Sequence, residues 1–204
     1  MSVEPRIPTL LYSLWFGSLG FCLASLVVFA TVAFGERSMY RYFGLSGAYA
    51  VWTLLFILGG GGVLSALVIG PGRLIRFYLL FSVAFFFYAA SWITAYFTLQ
   101  RGATGEWVGS FVGSVLMGLV LAVAFGARQA LLKMILGLFL ANSVGYFLGD
   151  LLNNAIGGKP GMLLWGALYG LGLGAGLGYV LYLAQAPVRD RLRSIADLGV
   201  RSAD

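Results

Sequence analysis

Four polar side chains share one face of an otherwise apolar segment in the C-terminal half of the chain. They follow one another at spacings of four, four and three residues, which places them on one side of an α-helix: Asn142, Tyr146, Asp150 and Asn153. An amide in the middle of a membrane has no water to bind, so it must find a protein partner or line a cavity. One interpretation is a polar lining for a solute or ion, with Asp150 at its outer mouth. The other is an interhelical hydrogen bond from Asn142, with the remaining residues marking the helix end.

A second candidate surface is aromatic. Six aromatic side chains recur at spacings of three and four on one helix face, here called the aromatic stripe: Tyr78, Phe81, Phe85, Tyr88, Trp92 and Tyr96. Such a face suits a planar or long hydrophobic molecule, such as a quinone, a carotenoid or a chlorophyll. The alternative is a surface that faces lipid or a partner protein, with interfacial aromatic residues at its ends.

Four consecutive glycines, 59–62, form the third candidate. A helix that unwinds there would expose backbone carbonyls to an ion, and Gly60 and Gly61 are the central candidates. The same glycines would equally admit a bulky neighbour, such as an aromatic ring from the next helix.

The sequence around these glycines resembles the second-helix region of trimeric intracellular cation channels. The matching residues are Tyr42-Phe43-Gly44, Gly59 to Leu64, and Gly70-Pro71. That family has a similar length and a 3+3 inverted arrangement of helices. The resemblance covers about one helix, and Ser65-Ala66 stand where that family has Arg-Asp. The repeat of its motif in the fifth helix and its seventh helix are both absent here.

The residue types argue against an enzyme. The chain has no histidine and a single cysteine, Cys22, so it lacks the commonest general base and the commonest metal ligand. Asp150 is the one acidic residue within the predicted spans. We therefore expect no catalytic site, no metal and no required cofactor, although a hydrophobic pigment, a quinone or a lipid would suit the aromatic stripe.

The composition is that of an integral membrane protein. Of the 204 residues, 60% are hydrophobic and 10% are charged, against about 25% charged in soluble domains, and the mean hydropathy is +0.93. About 20 apolar residues cross a bilayer as a helix. Charge-free intervals predict an all-α bundle of six transmembrane helices forming one domain, spans 1 to 6, over residues 10–34, 45–70, 75–99, 107–127, 131–152 and 162–185.

Small residues recur every four positions in the last spans. Span 6 has Gly166, Gly170, Gly174 and Gly178, and similar series of Gly, Ala and Ser occur in spans 4 and 5. Such ridges let helix backbones approach closely in a membrane. We therefore predict that spans 4 to 6 pack together tightly.

The basic residues predict the orientation. Nine of the 13 Lys and Arg residues lie in the N-terminal tail, the loops after spans 2 and 4, and the C-terminal tail: Arg6, Arg73, Arg76, Arg128, Lys133, Arg189, Arg191, Arg193 and Arg201. The other four are Arg37, Arg41, Arg101 and Lys159. The positive-inside rule then places both termini on the cytoplasmic side of the membrane, which we expect to be a bacterial inner membrane. The tail, residues 186–204, is amphipathic through Val188, Leu192, Ile195 and Leu198, and either lies on the inner membrane surface or is a short solvated helix end.

An internal similarity links spans 1 and 4. Trp15-Phe16-Gly17-Ser18 matches Trp107-Val108-Gly109-Ser110, and Val32 to Gly35 matches Val123 to Gly126. The copies would cross the membrane in opposite directions, which predicts a 3+3 inverted repeat of the kind found in secondary transporters. Chance similarity between apolar segments is the alternative.

Two functions fit these features. The first is a channel or transporter that binds or passes a small solute or ion through the bundle. The second is a non-catalytic accessory subunit of a larger membrane complex, binding partner subunits, lipids or pigments. The bilayer is the expected partner in both cases, homo-oligomers are compatible with the glycine ridges, and the basic residues flank spans and so do not indicate nucleic-acid binding.

Overall fold

The computed structural model describes residues 7–100 and 102–201, so Arg6 and Arg101 lie outside the described residues. The described chain is helical and contains no strand. Its helices are α1 (Leu10–Leu64), α2 (Arg73–Thr98), α3 (Ala103–Ala124), α4 (Leu131–Ile156), α5 (Gly158–Ala184) and α6 (Ala186–Arg201), with short 3-10 turns at Ser65–Leu67 and Arg128–Ala130.

Five of these helices are long and apolar enough to cross a membrane, and the first is far longer than one crossing needs. α1 breaks at Gly44, whose φ of 66° and ψ of −178° are essentially restricted to glycine. The arms on either side, residues 10–43 and 45–64, fold back on each other. Phe21 stacks on Phe56 at 5.8 Å between ring centroids, and a Cβ added at Gly59 would lie 2.9 Å from that of Ala24. α1 thus carries spans 1 and 2 as an antiparallel hairpin.

Two segments predicted as loops are helical. Residues 35–43 continue the first arm of α1, so Arg37 and Arg41 lie on a helix that extends beyond span 1. The physical reason is that charge ends an apolar stretch without ending a helix, and Glu, Arg and Met favour helix. Likewise α4 runs to Ile156 and α5 begins at Gly158, so the turn is made at Gly157 and Gly158, with φ of 72° and 60°.

α5 is packed through glycines on two sides. Against the first arm of α1, a Cβ added at Gly17 would lie 3.0 Å from the Cα of Gly178. Against α4, a Cβ at Gly172 would lie 2.8 Å from the Cα of Gly145. The first arm of α1 was not part of the predicted cluster of spans 4 to 6. α3 packs mainly against α2 and α4 and hardly touches α5, because the small face of α3 around Gly109 is occupied by α2.

We call the end of the bundle that holds both termini the proximal end, and the opposite end, where α2 and α4 finish and α5 begins, the distal end. The interior nearer the proximal end is filled by apolar side chains that are entirely or almost entirely buried, including Phe21, Leu64, Phe81, Leu177 and Leu181. Because these side chains fill the proximal half, space between the helices is left in the distal half.

Gln185 closes the proximal end. Its Oε1 accepts a 2.6 Å hydrogen bond from the backbone N–H of Ile69, and its Nε2 donates to the carbonyls of Leu67 and Leu181 at 3.1 and 3.0 Å. The loop after α1 is thereby attached to the end of α5. α6 follows directly, with Val188 and Ile195 exposed. The side chains of Arg193 and Leu198 lie outside what the structure describes, and the location of α6 on a membrane surface stays a prediction.

Candidate functional site: an aromatic cavity at the distal end

A cavity of about 310 Å³, the inner cavity, lies inside the bundle between both arms of α1 and helices α2, α4 and α5. Eleven of its eighteen wall residues are aromatic: Phe29, Tyr40, Tyr49, Trp52, Phe56, Phe85, Tyr88, Trp92, Tyr146, Trp165 and Tyr169. The remainder are apolar apart from Thr53 and Glu36. The wall is therefore mainly aromatic.

The rings hold one another in place by edge-to-face packing. Trp165 meets Phe29 at 5.7 Å and 62°, and Tyr146 at 5.3 Å and 66°. Tyr146 in turn meets Trp92 at 5.6 Å and 60°. Such pairs contribute about 0.5–1.5 kcal/mol each beyond the area that they bury. Mutual contact of this kind gives the cavity a fixed shape.

A hydrogen-bonded network supports the wall from behind. The Tyr88 hydroxyl donates to Oδ1 of Asn142 at 3.0 Å, and Nδ2 of Asn142 donates to Oγ of Ser110 at 2.8 Å. Ser110 and Ser143 share a hydrogen bond of 2.9 Å, and the Tyr169 hydroxyl donates to that of Tyr88 at 3.4 Å. Asn142 is entirely buried. The network joins α2, α3, α4 and α5 and orients two of the wall tyrosines.

A carboxylate orients the third phenol. The Tyr146 hydroxyl donates to Oε1 of Glu106 at 3.3 Å, and Glu106 is half-buried in the first turn of α3. Asp150, one turn further along α4 from Tyr146, accepts a 3.1 Å hydrogen bond from Asn154. The hydroxyl hydrogens of Tyr88, Tyr146 and Tyr169 are thus all donated to protein oxygens.

The indole N–H groups of Trp52 and Trp165 are buried and have no hydrogen-bond acceptor. Both rings form part of the wall, and each packs edge-to-face with neighbouring rings, Trp52 with Tyr40 and Tyr49 at 72° and 77°. Aromatic faces are weak acceptors for an N–H group. Because the two nitrogens have essentially no accessible surface, they are not donors at the cavity surface.

A second, more polar cavity of about 460 Å³, the outer cavity, adjoins the first at the distal end. The two share Val32, Glu36 and Met162, so they meet at these residues. Asn153, Asn154 and Lys159 line the outer cavity only. Glu36 is therefore the one charged residue on the inner wall, and Lys159 adds a positive charge outside it.

The predicted polar stripe does not form a single lining. Tyr146 lies in the inner wall and Asn153 in the outer wall. Asn142 lies behind the wall and makes interhelical hydrogen bonds, as the second interpretation of that residue described. Asp150 belongs to neither lining. Helical periodicity alone could not predict which of these residues lines a cavity and which lies behind the wall, because this depends on where α2 and α5 pack.

The aromatic stripe faces inward. Phe85, Tyr88 and Trp92 line the inner cavity, Phe81 lies beneath Phe85 at 5.5 Å between centroids, and Tyr96 stacks on Trp92 at 5.2 Å. The outward side of α2 carries Phe86 and Phe87 instead, which are 57% and 44% exposed. The interpretation of the stripe as a lipid-facing surface is therefore wrong for these residues.

The glycine run 59–62 does not unwind. α1 continues through it to Leu64. A Cβ at Gly61 would lie 2.8 Å from the Tyr78 ring, and one at Gly60 would lie 3.3 Å from that of Phe81. The structure therefore lacks the unwinding on which the ion-site hypothesis for Gly60 and Gly61 rested. The glycines make room for the rings of α2 and, at Gly60, for the ring of Phe21 on the first arm of α1. The Tyr78 hydroxyl donates to the Leu58 carbonyl at 2.6 Å.

Several wall residues were not among the sequence candidates, notably Glu36, Trp52, Trp165 and Tyr169. Tryptophan and tyrosine near span ends are typical of the membrane interface, so only tertiary contacts distinguish a cavity wall from that belt. The described residues contain no group of three His, Cys, Asp or Glu side chains placed to hold a metal ion.

Comparisons with known proteins support no family assignment. No family model, no curated protein and no solved structure matches this chain. The local resemblance to trimeric intracellular cation channels is accordingly confined to the residues quoted above. Apolar helices long enough to cross a membrane make this a multi-pass, all-helical membrane protein.

Proposed function

We propose that the protein is a channel- or transporter-like membrane protein that binds a small organic molecule in the inner cavity. The observation that carries this proposal is that eleven aromatic side chains line one concave space of about 310 Å³ between the helices. Small-molecule sites are typically concave, mainly apolar, of about 300–1,000 Å³, and supplied with a few polar groups. The inner and outer cavities together have this character.

Access is from the distal end. The outer cavity adjoins the inner one there, while Phe21, Phe81 and Leu177 fill the bundle on the proximal side. Binding therefore needs no rearrangement of the core. Passage across the membrane would require these side chains to move, as expected of a carrier with alternating access rather than of an open pore.

One correspondence between helix contacts supports an inverted repeat. The repeat would exchange span 1 with span 4 and span 3 with span 6, so contact between spans 1 and 6 would correspond to contact between spans 4 and 3. Both pairs pack closely through glycines, the first at Gly17 and Gly178 and the second at Gly109, whose added Cβ would lie 3.0 Å from the Cα of Trp92. Repeats of this type occur in many transporters.

The test is native mass spectrometry of the protein purified gently from its own membrane. Ala89 lines the inner cavity, so Ala89→Phe would fill it. Val83→Phe is the matched control, because Val83 lies on the exposed side of the same helix. A small molecule that co-purifies with the wild type and with Val83→Phe, but not with Ala89→Phe, supports the proposal.

Should Ala89→Phe fail to fold, Val32→Phe on the opposite wall is a second filling variant. Equal ligand occupancy in all variants would contradict the proposal. Stoichiometric partner proteins with no small molecule would instead favour the accessory-subunit function. Flux into proteoliposomes of the molecule so identified, abolished by the filling variant, would distinguish transport from binding alone.

A further inference from the structure

We infer that the molecule held in the inner cavity is an organic cation, such as a quaternary or aromatic ammonium compound. This inference rests on the proposed function of the inner cavity and adds the charge of the ligand. Its basis is the balance of charge on the wall. Of the eighteen wall residues one is charged, the carboxylate Glu36, and none is Lys or Arg.

The ring faces favour the same charge. An aromatic face carries the negative part of the ring quadrupole, and a cation within about 6 Å of the ring centre is attracted to it. Cages of several aromatic rings are a known means of binding quaternary ammonium groups. With eleven aromatic side chains around one small volume, a cation meets such faces in several directions.

The hydroxyl groups of three of the five wall tyrosines do not reverse this preference. The phenols of Tyr88, Tyr146 and Tyr169 donate their hydrogens to Asn142, Glu106 and the Tyr88 oxygen. What these phenols can offer a ligand is oxygen lone pairs, which repel an anion. The unpaired indole N–H groups have no accessible surface, so an anion could not reach them either.

The position of Glu36 indicates where the charge of the ligand lies. Glu36 belongs to the walls of both cavities, so it stands at their junction. A cationic group bound there has the aromatic wall on one side and the polar outer cavity on the other. Lys159 lines the outer cavity, with its Nζ 4.6 Å from the ring centroid of Phe34. It carries the same sign as the ligand and should weaken cation binding.

The test compares two probes of nearly identical shape, benzyltrimethylammonium and its uncharged carbon isostere neopentylbenzene. Each is titrated by tryptophan fluorescence into wild-type protein in nanodiscs, with empty nanodiscs as the correction for partition into lipid. We expect the cation to bind about tenfold more tightly, equivalent to ~1.4 kcal/mol.

Three variants separate the charge effect from the cavity. Glu36→Gln should weaken cation binding five- to tenfold and leave the isostere unchanged. Lys159→Met should strengthen cation binding two- to fivefold. Asp190→Asn removes the same charge as Glu36→Gln from an exposed site at the proximal end and should change neither probe.

The outcomes distinguish the two proposals. An isostere that binds as tightly as the cation, and is lost in Ala89→Phe, would overturn the charge inference while the cavity function stands. Cation binding that is unaffected by both Glu36→Gln and Lys159→Met would also overturn it. If neither probe binds the wild type, the charge inference is wrong, and the function of the cavity is then decided by the co-purification experiment alone.

Discussion

The hydroxyl of Tyr88 donates a 3.0 Å hydrogen bond to Oδ1 of Asn142. Tyr88 is a wall residue of the inner cavity, and Asn142 is the entirely buried amide behind it. The pair joins the two features that the sequence presents on separate helices, the aromatic stripe of α2 and the polar stripe of α4. One side of the site is thereby fixed by a polar contact that lipid cannot replace.

Asn142→Leu should lower both stability and ligand binding. It leaves the Tyr88 hydroxyl without its acceptor and removes a donor to Ser110, at a cost of about 1–2 kcal/mol. The displaced Tyr88 ring should also weaken binding in the inner cavity. Unfolding by SDS titration measures the first effect and probe titration the second. Gln129→Leu, which changes an exposed amide in the turn before the same helix, is the control, and equal behaviour of the two variants would contradict the role of the network.

Gly172→Ala should separate α4 from α5. The added Cβ would lie 2.8 Å from the Cα of Gly145 and closer still to the Ala141 carbonyl oxygen. Backbone atoms cannot yield as a flexible side chain can, so we expect a loss of about 1–3 kcal/mol of unfolding free energy, typical of overpacking. Gly35→Ala meets nothing within 4 Å and should leave stability equal or slightly higher. A thermal melt in detergent compares them, and tolerance of alanine at position 172 would show that these backbones are not in close contact.

Gly44→Ala should disturb the hairpin of α1. Alanine at φ 66° and ψ −178° is strained by about 1–3 kcal/mol. Because both arms of α1 line the inner cavity, probe affinity should fall together with the thermal midpoint. Gly102→Ala, at an ordinary φ of −126° with open space around it, serves as the comparison. A Gly44→Ala protein with wild-type melting and binding would mean that the break does not depend on glycine.

Gln185→Leu should release the proximal loop. It removes three hydrogen bonds, to Ile69, Leu67 and Leu181, from a side chain that is 3% exposed. The unpaired backbone groups should cost about 2–3 kcal/mol. Faster hydrogen exchange at the Ile69 amide would report the release directly. Gln129→Leu changes an exposed glutamine and should have no such effect; unchanged exchange in Gln185→Leu would count against the contact.

The two ends of the bundle should be labelled from opposite sides of the membrane. We expect Lys159→Cys to react with an impermeant maleimide added outside intact cells, and Asp190→Cys to react only after lysis, both in a Cys22→Ala background. The basis is the excess of Lys and Arg at the proximal end. Reversed labelling would place the cavity mouth in the cytoplasm, and labelling of both sites from one side would contradict the crossing pattern.

The sequence by itself determined the class of the protein and the approximate positions of its spans. Long charge-free stretches can be stable only in lipid, where a helix satisfies its own backbone. The sequence also identified residues that make specific helix contacts. Asn142 and Tyr88 form interhelical hydrogen bonds, and the glycine runs allow close packing of helices. These inferences rest on local properties, namely hydropathy, helical spacing and the size of a side chain.

Only the tertiary structure decided which of those residues meet. Whether Asn142 lines a cavity or supports one depends on the position of Tyr88, 54 residues away. Whether Gly61 binds an ion or admits a ring depends on Tyr78. Glu36 and Trp165 are of types that are common at the membrane interface. They line the same cavity because α1 folds back at Gly44 and because α5 packs between α1 and α4. A side chain in a membrane helix takes its role from the surface that it faces, and helix packing sets that surface.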